Sequence, residues 1–292
     1  MDGWSALLGA AEEGHIDLIK DLIGQGAEIN MGDKKGMTAL HSAAENGQTD
    51  VMKYLISQGA EVNKEDNNGQ TALHNAAENG HKDIMENLIS QGAEVNKEDN
   101  NGAEVNTEER YGKTALHSAA ENGHMDVIKY LISQGADVNT EDKYGQTALH
   151  SAAENGNIDV IEHLITQGAD VNTEDKYGQT ALHSAAENGQ MNIFKYLISL
   201  GADVNNASII GRTALHSAAV YGRINDLKYL ISKGAEVNKE DDNVLAVSLF
   251  CVFIETGYGA PLIQEDTSED LTDPVRQMLY LGQMPSSSSS LP

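Results

Sequence analysis

The chain has 292 residues, 40% of them hydrophobic, which is enough to build a core for one large domain or two ordinary ones. Its formal net charge of −26 repels a phosphate backbone and an anionic bilayer surface, so it argues against nucleic-acid and membrane partners and favours a basic protein partner. Cys251 is the one cysteine, so no internal disulfide and no cysteine-based zinc site can form.

The N-terminal stretch "MDGWSALLGAAEEGHIDLIK" has acidic residues and no basic opening, unlike a signal peptide. Within it, "WSALLGAAEEGH" opens a series. Ser5 is followed at intervals of 33, 33, 43, 33, 33 and 33 by Thr38, Thr71, Thr114, Thr147, Thr180 and Thr213. Counted from the first glycine, units start at Gly3, Gly36, Gly69, Gly112, Gly145, Gly178 and Gly211, and the series ends near Asn243. A fixed period of this size signals a solenoid, with residues 1–243 as one repeat domain.

The unit from Gly145 to Tyr177 shows what each repeat encodes. Thr147 caps a short helix that runs from about Ala148 to Asn155, and Ala152 and Ala153 let a neighbouring helix approach closely. Gly156 sits where a left-handed C-terminal glycine belongs. A second helix follows, with Asp159 near its start and Val160, Ile161, Leu164 and Ile165 as its apolar stripe. After Gly168, "ADVNTEDKY" lacks helical period and reads as a turn-rich finger. Helices this short do not stand alone, so each unit must stack on its neighbours.

The 43-residue step contains an echo, "GAEVNKEDNN" (92–101) followed by "GAEVNTEERY" (102–111). It reads as a ten-residue insertion, either a hinge or a tolerated surface loop. After Asn243 the pattern decays. "VLAVSLFCVFI", the longest apolar run, has eleven residues against the ~20 a bilayer needs. Residues 244–284 read as a degenerate cap, with a short helix over "DPVRQMLYLG", and 285–292 as a disordered tail. The apolar run reads alternatively as an interface for a partner.

The pattern G-x-T-A-L-H-x-A-A-x-x-G-H-x-x-(V/I)-x-x-x-L-I-x-x-G-A-(D/E)-V-N resembles the ankyrin repeat over about residues 3–243. It departs from the family at Ala39, Ala72, Ala115, Ala148, Ala181 and Ala214, where proline is favoured. The resemblance implies an all-α ankyrin-repeat solenoid of stacked helix–turn–helix units with β-turn fingers. It also implies protein–protein binding without chemistry.

The motif histidines His41, His74, His117, His150, His183 and His216 recur one repeat apart, on the order of 10 Å, too far to converge on a metal or a substrate. We read each as bonding to a neighbouring turn. His15, His81, His124 and His163 show no ligand spacing, and no enzyme motif is present. Catalytic, cofactor and metal residues are therefore expected to be none.

Two ladders are candidates for partner binding. Polar pairs close the first helices at Glu45–Asn46, Glu78–Asn79, Glu121–Asn122, Glu154–Asn155 and Glu187–Asn188, and become Val220–Tyr221 in the seventh unit. The resemblance places them on a concave face; the plainer reading is a solvated surface. Finger tips carry Tyr111, Tyr144, Tyr177 and Ile210, flanked by Lys143, Gln146 and Gln179. Tyrosine suits an interface. Lateral packing between fingers, or duplication of one unit, accounts for the row equally well.

Each unit ends in leucine, five residues, an acid, valine or isoleucine, then asparagine, at Asn30, Asn63, Asn96, Asn139, Asn172, Asn205 and Asn238. This is similar to the site that the oxygen-dependent asparaginyl hydroxylase modifies in ankyrin proteins. Asn30, Asn96 and Asn238, at the ends and beside the break, are the expected targets. The structural role expected of all seven is to fix a turn by bonding to nearby backbone.

The expected function is a cytoplasmic (the nucleus remains open), monomeric, non-catalytic adaptor or scaffold. Its partner is a basic protein with an apolar anchor. The alternative is a regulatory part of a larger signalling protein or channel.

Overall fold

The computed structural model describes residues 6–98, 112–237, 239 and 241. The expectations for 244–284, 285–292, Tyr111 and Asn238 lie outside them.

The threonine that opens each unit has extended backbone, and its side chain caps the third residue of the helix that follows. From Thr38 to Thr213 the cap is reciprocal, because the histidine at that third position accepts the threonine backbone N–H. Helices then follow in pairs: α1 (Ala6–Glu12) with α2 (Ile16–Gly24), α3 (Ala39–Glu45) with α4 (Thr49–Ser57), and α5 (Ala72–Glu78) with α6 (Lys82–Ser90). Beyond 99–111 come α7 (Ala115–Asn122) with α8 (Met125–Ser133), α9 (Ala148–Asn155) with α10 (Ile158–Thr166), α11 (Ala181–Asn188) with α12 (Met191–Ser199), and α13 (Ala214–Val220) with α14 (Ile224–Ser232). Gly156 turns α9 into α10 at φ +81°, a conformation that costs other residues on the order of 1 kcal/mol or more.

The first helices pack on one another along the stack. Ala43, Ala76, Ala119, Ala152, Ala185 and Ala218 are fully buried there, and each small side chain lets the next backbone approach. Leu40, Leu73, Leu116, Leu149, Leu182 and Leu215 fill the space between. The second helices form an outer layer whose inner edge is Val127, Ile128 and Leu131 in α8 and their equivalents elsewhere. Each buried leucine contributes about 2–3 kcal/mol of transfer free energy. That is how a chain with 5% aromatic residues builds a continuous core. Among the described residues no helix is long and apolar enough to cross a membrane.

The stack continues across the 43-residue step. Helix α5 packs directly on α7, and Glu98 pairs with Thr114 in an antiparallel bridge from either side of 99–111.

Candidate protein-binding face

Three hydrogen-bond ladders tie units to their neighbours. In the first, the motif histidine's Nδ1 accepts the threonine N–H, so its proton is on Nε2 and points at the following unit. His41 Nε2 donates to the Gln70 carbonyl at 3.0 Å, His117 to Gln146 at 3.0 Å and His183 to Arg212 at 3.1 Å. Across the break, His74 donates to Lys113 at 3.2 Å. Burial pushes all six histidines below their ordinary value, His74 to about 4, with the carbonyl bonds opposing the shift. They are neutral, and the five from His41 to His183 brace the next unit, as their spacing predicts. Among the described residues no cluster of histidine, cysteine or acidic side chains could hold a metal ion.

The second ladder is the asparagine series. Asn30 Nδ2 donates to the Gly59 carbonyl at 3.2 Å while its Oδ1 accepts the Glu61 N–H at 2.9 Å. Asn63, Asn172 and Asn205 repeat this pair of bonds. Asn96 makes it across the break, to Gly135 at 3.1 Å and Asp137 at 3.2 Å. The turn held is thus the next unit's, where the sequence suggested a turn nearby in the chain.

The third ladder runs backwards and was not legible in the sequence. The residue after the inter-helix glycine bonds to the C-terminal carbonyls of the preceding unit's first helix: Gln48 to Glu12 at 3.0 Å, His81 to Glu45 at 3.0 Å, His124 to Glu78 at 2.8 Å, and Asn157 to Glu121 at 3.1 Å. Arg223 does the same to Glu187. The available signal was a column of polar side chains at one repeat position: His15, Gln48, His81, His124, Asn157, Gln190 and Arg223.

With units locked in register, the sequence's candidates fall along one surface. A buried aspartate shapes the fingers at Asp66, Asp142 and Asp175, and Ser208 takes its place in the next. Asp142 Oδ1 accepts the N–H groups of Tyr144 and Gln146, and Asp175 those of Tyr177 and Gln179. Adjacent tips join through backbone, Lys176 N–H to Tyr144 carbonyl at 2.7 Å and Ile209 N–H to Tyr177 carbonyl at 2.8 Å. The Tyr144 and Tyr177 rings stack with centroids 6.4 Å apart, and the Lys143 ammonium lies 4.9 Å from the Tyr144 ring centre. Lateral packing between fingers is therefore real. It still leaves Tyr177 50% and Ile209 72% exposed, with Ile210 beside them.

The base of the finger touches the helix-end ladder. Lys113 pairs with Glu121 at 2.6 Å, and Gln179 Nε2 donates to Glu187 at 3.4 Å. Fingers and helix ends thus border the same face. Asn122, Asn155 and Asn188 turn their amides back onto their own helices at 3.0 Å, which leaves the glutamates to set the charge of the surface. Burial first, then the neighbouring Glu78 and Glu12, raises the Glu45 carboxyl above the usual carboxylate range. Glu154 is exposed, as is Tyr221 at the far end.

A family model described as ankyrin repeats (three copies) matches residues 7–99, 101–175 and 161–241. Among solved structures, the human ASB11 ankyrin repeat domain is similar at 25% sequence identity and a TM-score of 0.68, over 80% of this chain and 99% of that one. No curated protein sequence matches it. Stacks of this kind are in general non-catalytic scaffolds for protein–protein interaction. On the unit geometry and these matches together, the chain belongs to the ankyrin-repeat family.

Proposed function

We propose that this chain is an adaptor that binds a basic protein partner with an apolar anchor, across the face bordered by its finger tips and the ends of its first helices. The observation that carries this reading is the exposed apolar row at the tips. Tyr177 and Ile209 are 50% and 72% exposed in a chain with few aromatic residues. Such side chains offer contact area at low entropic cost. The glutamates beside them supply attraction that speeds encounter and is screened by salt. The chemistry on this face is recognition; the setting is a monomer in the cytoplasm. Crosslinking in native lysate followed by mass spectrometry identifies the partner. Alanine at Tyr144 and Tyr177 should then weaken its capture, and raising salt should slow association. Capture that ignores both substitutions removes the finger tips from the binding face.

A further inference from the structure

The seventh unit departs from the others where it borders the shared face. Five units end their first helix in Glu–Asn, from Glu45–Asn46 to Glu187–Asn188, and α13 ends in Val220–Tyr221. Val220 is 40% exposed, Tyr221 57% and Ile224, at the start of α14, 48%. Arg223 lies beside them, its guanidinium 5.5 Å from the Tyr221 ring centre and bonded to the Glu187 carbonyl. Arg212 stands where Lys113 and Gln179 meet a glutamate; position 220 offers none, and Arg212 lies 3.9 Å from Asp241 instead. Six of the eleven exposed large hydrophobic residues among those described fall between Ile209 and Ile231, and three of them, Val220, Tyr221 and Ile224, flank the turn from α13 to α14. The column Glu12, Glu45, Glu78, Glu121, Glu154, Glu187 thus runs into an apolar step.

We propose that the face takes one extended segment of a partner protein, basic along the glutamate column and apolar at the end that seats on Val220, Tyr221 and Ile224. This rests on the protein-binding reading above and adds a polarity to it. Successive units lie about 10 Å apart. A polyproline-type strand advances about 9 Å in three residues and returns each third side chain to the same side. A basic residue at each third position therefore meets successive glutamates, and charge complementarity holds the segment in register until the apolar end reaches the step.

The probe is a fluorescein-labelled peptide of four Pro-Pro-Lys triplets, one lysine each for Glu78, Glu121, Glu154 and Glu187, made with two leucines at either end or at neither. Fluorescence anisotropy at low salt reads its affinity for the full chain. One of the two leucine-bearing peptides should bind about tenfold or more tighter than the plain one. Val220→Glu with Tyr221→Asn, which restores the pair other units carry, should erase that advantage and leave the plain peptide's affinity unchanged or stronger. Ile224→Thr, the residue found at Thr49, should weaken the anchored peptide alone and serves if the double variant does not fold. Glu154→Gln should weaken both peptides. An advantage that survives both patch variants, or leucines that add nothing, overturns the polarity. If neither peptide binds while lysate capture still depends on Tyr144 and Tyr177, the basic segment is overturned and the protein-binding reading stands.

Discussion

Burial pushes His74 down to about 4, and its environment fixes how stability should respond to acid. Its ring is 1% exposed, its Nδ1 accepts the Thr71 N–H at 3.1 Å, and its Nε2 donates to Lys113. Protonation puts a hydrogen on Nδ1 opposite a donor, in a site without water. The folded value of about 4 lies below the ordinary 6.5. As pH falls, the unfolded chain takes up this proton first. The stability that the neutral ring contributes is therefore fully present above about pH 6.5 and is lost progressively down to about pH 4. At about pH 5 the loss is roughly 2 kcal/mol, rising to about 3 kcal/mol below the folded value. Carboxylates act in the other direction. The Glu45 carboxyl is raised in the fold by burial and by its acidic neighbours, so its contribution is present at low pH and is lost as pH rises through the folded value.

A substitution separates the two. His74→Gln keeps an acceptor for the threonine and removes the titration, while every carboxylate and the other five motif histidines stay in both proteins. Urea unfolding followed by circular dichroism should show the variant destabilised at about pH 8 by roughly 1–3 kcal/mol for the impaired bonds. Toward about pH 5 the gap should narrow by roughly 2 kcal/mol. Parallel pH profiles for the two proteins would refute the claim that the buried neutral ring is what acid attacks.

Asn172→Ala, which removes the bonds to Gly201 and Asp203, should cost about 1–3 kcal/mol in urea unfolding, and Asn96→Ala a similar amount if the stack is continuous there. The full chain should unfold in one transition coincident for probes in both halves; separate transitions would establish a hinge at 92–111, which deleting 102–111 to restore the 33-residue period should then abolish. Gly145→Ala should destabilise by at least about 1 kcal/mol more than Gly135→Ala. Both glycines have positive φ, but an added Cβ at Gly145 meets the Lys176 nitrogen at 2.9 Å and at Gly135 meets nothing within 4 Å. Incubation with an asparaginyl hydroxylase should add one oxygen at Asn30, Asn96 or Asn238 ahead of the other asparagines; peptide mapping that finds none makes the series purely structural.

The repeat was readable because each unit states its own helix ends. Thr147 and Gly156 bracket α9, and the apolar stripe from Val160 to Ile165 defines the buried side of α10. The bracing role of His150 followed from spacing alone, since equivalent side chains one unit apart cannot converge. What joins units was harder to read. His81, His124 and Asn157 are chemically different donors that reach the same kind of carbonyl, and only the stacking geometry shows their shared role. The asparagine bonds span 29 to 31 residues in most units, so no local turn rule finds their partners. The finger tyrosines showed the opposite problem. Their period was plain, but a copied row and a binding row look alike until exposure separates Tyr177 from the half-buried Tyr144.

The braces also run both ways along the stack. The histidine ladder reaches forward, each unit donating to the next, while the third ladder donates back to the unit before, and each asparagine both gives and takes a bond across the same junction. A cut at any junction therefore strands donors on both sides of it. Unsatisfied buried N–H groups are tolerated less well than carbonyls with a spare lone pair. Loss of any single unit should therefore weaken the units on both sides of it.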